Sequence, residues 1–266
     1  MNKENIMKND LSKLNLLGKV KSLTEITFNV IDKFSEIQKI KIHSKEILIF
    51  NEIGNKIEQN NYTSQNILYS RWTYKYDDNG NKIEDNEHTS NGILCYKYIT
   101  KYDDNGYLIE NFKYKSDGSL DYKHTSKYDD KGNRIEWSKY TSDGNLDRKY
   151  ISKYDDKGNV IEWGFWSTYI FGSQYTKYTS KYDDKGNVIE QNRYESDSIL
   201  DYKHTYKYDD KGNVIDSCEY NSAGILYLKF TYKYDYDVIG NWLKKTEFKN
   251  DIPIEITERE IEYYKN

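Results

Sequence analysis

The stretch Tyr128-Asp-Asp-Lys-Gly132-Asn-Arg-Ile-Glu-Trp-Ser-Lys-Tyr140-Thr-Ser-Asp-Gly144-Asn-Leu146-Asp-Arg-Lys-Tyr150-Ile-Ser-Lys-Tyr154 holds one complete period of this chain. Two extended segments of about eight residues flank Ser142-Asp143-Gly144, where Asp caps its own backbone and Gly accepts the left-handed position that closes a tight hairpin. Asp129-Asp-Lys-Gly132 repeats that logic at the other end, with Asp first and Gly fourth in the turn. Outward from here, Tyr-Asp-Asp-[Asn/Lys]-Gly recurs intact from Tyr76, Tyr102, Tyr128, Tyr154, Tyr182 and Tyr208. The glycines Gly54, Gly80, Gly106, Gly132, Gly158, Gly186, Gly212 and Gly240 step by 26 or 28 residues. Such a period outranks any local motif and predicts an array with one β-hairpin per repeat.

Slots within the period are regular. Three residues after the glycines stand Ile57, Ile83, Ile109, Ile135, Ile161, Ile189, Ile215 and Leu243; the next slot holds Glu58, Glu84, Glu110, Glu136, Glu162, Glu190, Asp216 and then Lys244. Adjacent slots of a strand point to opposite faces. The return strand places Leu200, Tyr202, His204, Tyr206 and Tyr208 on one face and Lys203, Thr205 and Lys207 on the other. The pattern predicts that Glu meets Lys across strands and that Ile joins the Leu/Tyr face. Each such pair contributes roughly 0.2 to 1 kcal/mol, so ladders rather than one core would stabilise the array.

Composition agrees. Only 36% of residues are hydrophobic, 32% are charged and mean hydropathy is -1.01, which argues against a thick core. Disorder is poor in aromatics, whereas this chain has 29 Tyr, 8 Phe and 5 Trp with one Pro. The fold class expected is all-β: an extended antiparallel meander of about nine hairpins, forming a single-layer sheet that must twist or curl. The expected organisation is a polar lead over residues 1–16, a degenerate capping hairpin over 17–53, hairpin repeats over 54–239 and a capping hairpin over 240–266. The net charge of -4, evenly spread, predicts no nucleic-acid partner. No run of 18 apolar residues occurs, from which no membrane contact is expected. Met1 to Asp10 lacks an apolar leader core, which predicts a cytoplasmic chain, or an exported one if a leader has been removed.

The Tyr-Asp-x-x-Gly-Asn periodicity resembles the YD repeats of Rhs-type bacterial proteins, and the hairpin-per-period design resembles MORN-type sheets. The chain is most similar to uncharacterised bacterial YD/RHS-repeat-like proteins, often from Bacteroidetes. Leu17-Gly-Lys-Val-Lys-Ser22, the central Tyr-Asp-Asp-Lys-Gly-Asn-Val-Ile-Glu units, Gly240-Asn-Trp242 and Ile256-Thr-Glu-Arg-Glu-Ile-Glu-Tyr-Tyr264 carry that resemblance. It implies an architecture and no catalytic residues. At 266 residues the sequence is far too short for the enclosing shell of large Rhs proteins, so neither an encapsulating role nor an appended toxin domain is expected.

Chemistry is sparse. His124 and His204 share a slot three repeats apart, roughly 29 Å on an open meander, too far to share an ion. The Asp-Asp-Asn-Gly loops lack the glycine and glutamate spacing of a calcium loop. The Glu ladder repeats one environment, with nothing to make one carboxylate an acid and its neighbour a base. No catalytic residue, metal or cofactor is therefore expected. Between Gly158 and Gly186 the Ser-Asp-Gly turn disappears and an aromatic stretch replaces it, making Trp163, Phe165, Trp166, Tyr169 and Phe171 the candidate binding residues. The expected function is a non-enzymatic β-repeat scaffold for a protein partner; the alternatives are a carbohydrate-binding module using the aromatic stripes and an enzyme of unrecognised type.

Overall fold

The computed structural model describes residues 9–34, 36–167, 175–195 and 199–265. Both hairpin ends use one turn. At the motif end the Gly132 N-H donates to the Asp129 carbonyl at 3.0 Å and the Asp129 N-H to the Asn133 carbonyl at 2.9 Å. At the other end Gly144 and Thr141 repeat the arrangement with Asn145. Gly132 and Gly144 sit at φ +82° and +83°, the left-handed conformation that this three-residue hairpin loop demands.

The motif side chains lock the loop. Asp129 Oδ1 accepts from the backbone N-H of Lys131 at 3.0 Å and of Asn133 at 2.8 Å, and Asn133 Nδ2 donates to Asp129 Oδ2 at 2.9 Å. This explains why Asn follows the glycine. The motif tyrosine reaches back across the strand pair: Tyr128, Tyr154, Tyr182 and Tyr208 each donate at 2.8 Å to the carbonyl of Leu108, Arg134, Val160 and Val188, respectively.

Among the described residues the strands are β1 Val20–Lys33, β2 Glu36–Phe50, β3 Lys56–Tyr62, β4 Leu68–Tyr76, β5 Lys82–Thr89, β6 Leu94–Tyr102, β7 Leu108–Lys115, β8 Leu120–Tyr128 and β9 Arg134–Thr141. They continue as β10 Leu146–Tyr154, β11 Val160–Ser167, β12 Thr176–Tyr182, β13 Val188–Glu195, β14 Ile199–Tyr208, β15 Val214–Asn221, β16 Leu226–Tyr236, β17 Trp242–Lys249 and β18 Ile252–Tyr263. They form one antiparallel meander, as the period predicts. The expected open single layer is corrected at its ends. Strand β1 pairs along its length with β2, Leu23 opposite Leu48, and with β18, Leu23 opposite Ile261. The ladder of pairings thus closes into a β-barrel, and closure leaves no backbone edge to be covered.

Contacts divide the chain into two compact units. The first comprises Met1–Ile99, Lys233–Phe248 and Ile252–Asn266; the second comprises Thr100–Tyr232 and Lys249–Asp251. The first holds a small apolar core of Leu11, Leu16, Val20, Leu23, Leu48 and Phe50. Its lead folds as a short helix, α1 Asp10–Lys13, which Asn9 caps by accepting from the Ser12 N-H. In the second unit, ladders replace the core. Glu110 bridges Lys101 and Lys123 at 3.2 and 2.7 Å, and Glu136 bridges Lys127 and Lys149 at 3.0 and 2.8 Å, so each carboxylate is shared between lysines of both neighbouring strands.

The Ile slot departs from expectation. Register skips one residue beside the motif tyrosine: Lys153 faces Glu162, but Tyr154 faces Val160, which leaves Ile161 as the extra residue of a β-bulge. The same skip recurs at Lys181/Tyr182 and Lys207/Tyr208. Ile57, Ile135, Ile161, Ile189 and Ile215 are accordingly 36–40% exposed rather than packed into the Leu/Tyr face.

Candidate binding site

In the second unit, one face of the sheet carries an aromatic ladder that crosses β8 to β12. His124 lies against Trp137 with ring centroids 4.3 Å apart; Trp137 meets Tyr150 edge-on at 5.0 Å; Tyr150 faces Trp163 at 6.2 Å and Phe165 at 5.4 Å; Trp163 stacks on Tyr178 at 3.9 Å. The strand registers place these rings opposite one another: Trp137 faces Tyr150, Tyr150 faces Phe165 and Trp163 faces Tyr178. Cross-strand rings of this kind stabilise a thin sheet.

The ladder borders a hollow of about 510 Å³, within the range of small-molecule sites, lined by Arg134, Trp137, Ser152, Trp163, Ser180 and Gln191 together with the phenols of Tyr150, Tyr154 and Tyr182. Its depth has a simple cause. Two residues before the motif tyrosine, successive repeats carry Tyr74, Thr100, Ser126, Ser152, Ser180 and Tyr206. Where Tyr74 and Tyr206 place a phenol, Ser152 and Ser180, like Ser126 before them, carry only a hydroxymethyl group. Trp137 and Trp163 stand on the strands either side of β10, Trp137 opposite Tyr150 and Trp163 opposite Ser152.

Electrostatics follow burial. His124 is held neutral, its pKa pushed down to about 4 by burial and by the Lys139 ammonium. Burial and the neighbouring Tyr178 push Tyr202 up to about 12. The lining of the hollow has one guanidinium and no carboxylate or imidazole. Among the described residues no group of three or more His, Cys, Asp or Glu side chains converges on a point that could hold a metal.

The five residues singled out in the sequence do not form one cluster. Trp163 and Phe165 join the aromatic ladder, whereas Trp166 projects to the opposite face, across from Lys149, and packs on Tyr175 at 4.7 Å. Tyr169 and Phe171 lie outside the described residues. Strand alternation separates them, because an odd spacing in β11 changes faces. The residues that sequence reasoning missed are Trp137, Ser152, Ser180 and Gln191, and the signal for them was the run Ser126, Ser152 and Ser180 in a slot that Tyr74 and Tyr206 fill with a phenol.

No family model matches the chain, and no curated protein does. Solved structures similar to it include a porin-like protein from Bacteroides uniformis ATCC 8492, at 12% identity over 91% of this chain and 96% of that one, with a TM-score of 0.47. A porin-like protein from Bacteroides vulgatus ATCC 8482 is 12% identical over 93% of this chain and 99% of that one, with a TM-score of 0.40. The Photorhabdus luminescens Tc holotoxin pore is 14% identical over 80% of this chain, with a TM-score of 0.33; the match spans 15% of that chain.

The expectation of no membrane contact is withdrawn. It used the length of apolar runs, a criterion for helices, and no helix here is long and apolar enough to cross a membrane. A closed ring of strands satisfies its backbone without such a run, so the criterion does not apply to it. The expected cytoplasmic location finds no support in these comparisons.

Proposed function

We propose that the protein is a non-enzymatic β-repeat scaffold that binds its partner through the aromatic hollow of the second unit. The observation that carries this reading is the open slot: Ser152 and Ser180 leave space beside Trp137 and Trp163 at a position where Tyr74 and Tyr206 place a phenol. Rigid aromatic walls supply binding energy at low entropic cost, as at protein interfaces. The lining offers hydrogen-bond donors and acceptors but no group that titrates near neutrality, which suits recognition better than acid–base chemistry.

Placement among YD/RHS-repeat-like proteins belongs to the same proposal and rests on the motif periodicity; export of the chain goes with it. A second reading is a carbohydrate site, favoured by the hydroxyls of Ser152 and Ser180 and the amide of Gln191 beside the indoles. The test is a comparison of wild type with Trp137→Ala and Trp163→Ala against displayed peptides and oligosaccharides, followed by tryptophan fluorescence. Saturable binding that both variants lose supports the hollow. Binders that ignore both variants would place the site elsewhere.

A further inference from the structure

The first repeat shows what fills the slot that the second unit leaves open. At the position equivalent to Ser152 stands Tyr74, whose ring lies between Lys56 Nζ at 4.7 Å and Lys82 Nζ at 5.2 Å, its hydroxyl donating to Gln59 Oε1 at 3.1 Å. At the rim above, the lead of the chain delivers a carboxylate. Asp10 Oδ2 accepts from Tyr76 Oη at 2.6 Å and from the Lys56 N-H at 3.0 Å. Tyr76 and Lys56 are the first-repeat equivalents of Tyr154 and Arg134, which line the hollow. In the first unit, therefore, one phenol ring and one carboxylate occupy this motif together.

In the second unit both occupants are missing from the lining. Ser152 supplies no ring. The walls at the positions of Gln59 and Asp85 become Trp137 and Trp163, which exchanges a polar and an acidic neighbour for two indoles. The rim keeps its tyrosine and replaces Lys56 with Arg134, so among the described residues of the lining the charged side chain is cationic. The Tyr206 repeat confirms that a phenol fits this slot elsewhere in the array, its hydroxyl 3.2 Å from His204 Nδ1.

We infer that the hollow takes an aromatic ring accompanied by a carboxylate, the ring seated over Ser152 against Trp163 and beside the Trp137–Tyr150 pair, and the carboxylate at Tyr154 and Arg134. This deepens the proposed binding function and rests on it. Two sources share that chemistry: a partner segment with an aromatic residue beside an acidic one, and a free aryl acid. A ring against an indole gains offset or edge contacts, and a guanidinium pairs with a carboxylate more strongly than an ammonium does.

The experiment titrates the full chain with acetyl-Tyr-Asp-amide, 4-hydroxyphenylacetate, its neutral alcohol analogue and maltopentaose, each to millimolar concentration, and reads tryptophan fluorescence. Expected is saturable quenching by the peptide or the aryl acid, weakened at least about tenfold in Ser152→Tyr and separately in Ser180→Tyr, variants that install the phenol that Tyr74 and Tyr206 place in this slot. Arg134→Ala should weaken the acid and leave the alcohol unchanged. The tighter of peptide and free acid identifies the source. Maltopentaose binding that Ser152→Tyr abolishes, with no response to either acid, overturns the ring-and-carboxylate inference while leaving the hollow as the site. Acid binding that survives both tyrosine variants, or no response to any probe, overturns it as well.

Discussion

Gly132 and Gly144 share a backbone conformation but not surroundings, which allows the turn chemistry to be separated from packing. Both lie in the second unit, at φ +82° and +83°. An alanine Cβ at Gly144 would meet nothing within 4 Å, so Gly144→Ala should cost only the left-handed penalty, about 1 to 2 kcal/mol. At Gly132 the added carbon would lie 2.1 Å from Tyr107 Oη and 2.5 Å from its Cζ. Tyr107 must then swing away from Tyr128, on which it stacks at 4.9 Å and 21°. Losing that stack adds about 0.5 to 1.5 kcal/mol, for a total of about 1.5 to 3.5 kcal/mol. Urea unfolding at constant m reads both values, and repeating the pair on a Tyr107→Ala background should bring them to within about 0.5 kcal/mol. Equal costs in the wild-type background, or a difference that persists without Tyr107, would refute the reasoning.

Other expectations follow from the same contacts. Tyr128→Phe removes the hydroxyl that donates to the Leu108 carbonyl and should lower stability by about 1 kcal/mol in chemical denaturation, and an unchanged midpoint would leave the motif tyrosine without a role. Trp163→Ala should cost about 2 to 3 kcal/mol, below the range for a fully buried tryptophan because this one is half-buried, and the same assay checks it. His124 titrates at about 4 in the fold against 6.5 ordinarily, so the unfolded chain binds the proton first; stability is full above 6.5 and falls as pH drops toward 4, and His124→Phe should flatten that window. Burial pushes the Glu84 carboxyl upward, but hydrogen bonds from Lys75, Lys97 and Asn86 outweigh it and hold the pKa at about 2; its contribution is present above 4.5 and lost as pH falls to 2, and an acid titration of Glu84→Gln should show that loss removed.

Local chemistry was legible in the sequence wherever a residue type has one structural use. Asp129, Gly132 and Asn133 announce their loop, and the Glu/Lys alternation announces its ladder. What was hidden depended on pairings between distant residues. The β1 to β18 contact joins segments outside the regular period, where Leu23, Leu48 and Ile261 carry no motif. The bulge that exposes Ile161 arises because the turn residues force the register beside Tyr154, a coupling that simple alternation omits. The candidate site was half visible: Trp163 and Phe165 lie on the ladder, but the aromatic stretch marks residues added to the repeat, whereas the hollow lies where Ser152 and Ser180 carry small side chains.

The central claim, that the hollow between Trp137 and Trp163 is where this protein binds, can be tested by fluorine NMR of the chain labelled with 5-fluorotryptophan. Its five tryptophans, Trp72, Trp137, Trp163, Trp166 and Trp242, then act as separate reporters. Titration with acetyl-Tyr-Asp-amide and with maltopentaose should shift Trp137 and Trp163 saturably while Trp72, Trp166 and Trp242 stay in place. Shifts confined to Trp166, or no saturable shift at Trp137 and Trp163 with either probe, would contradict the account.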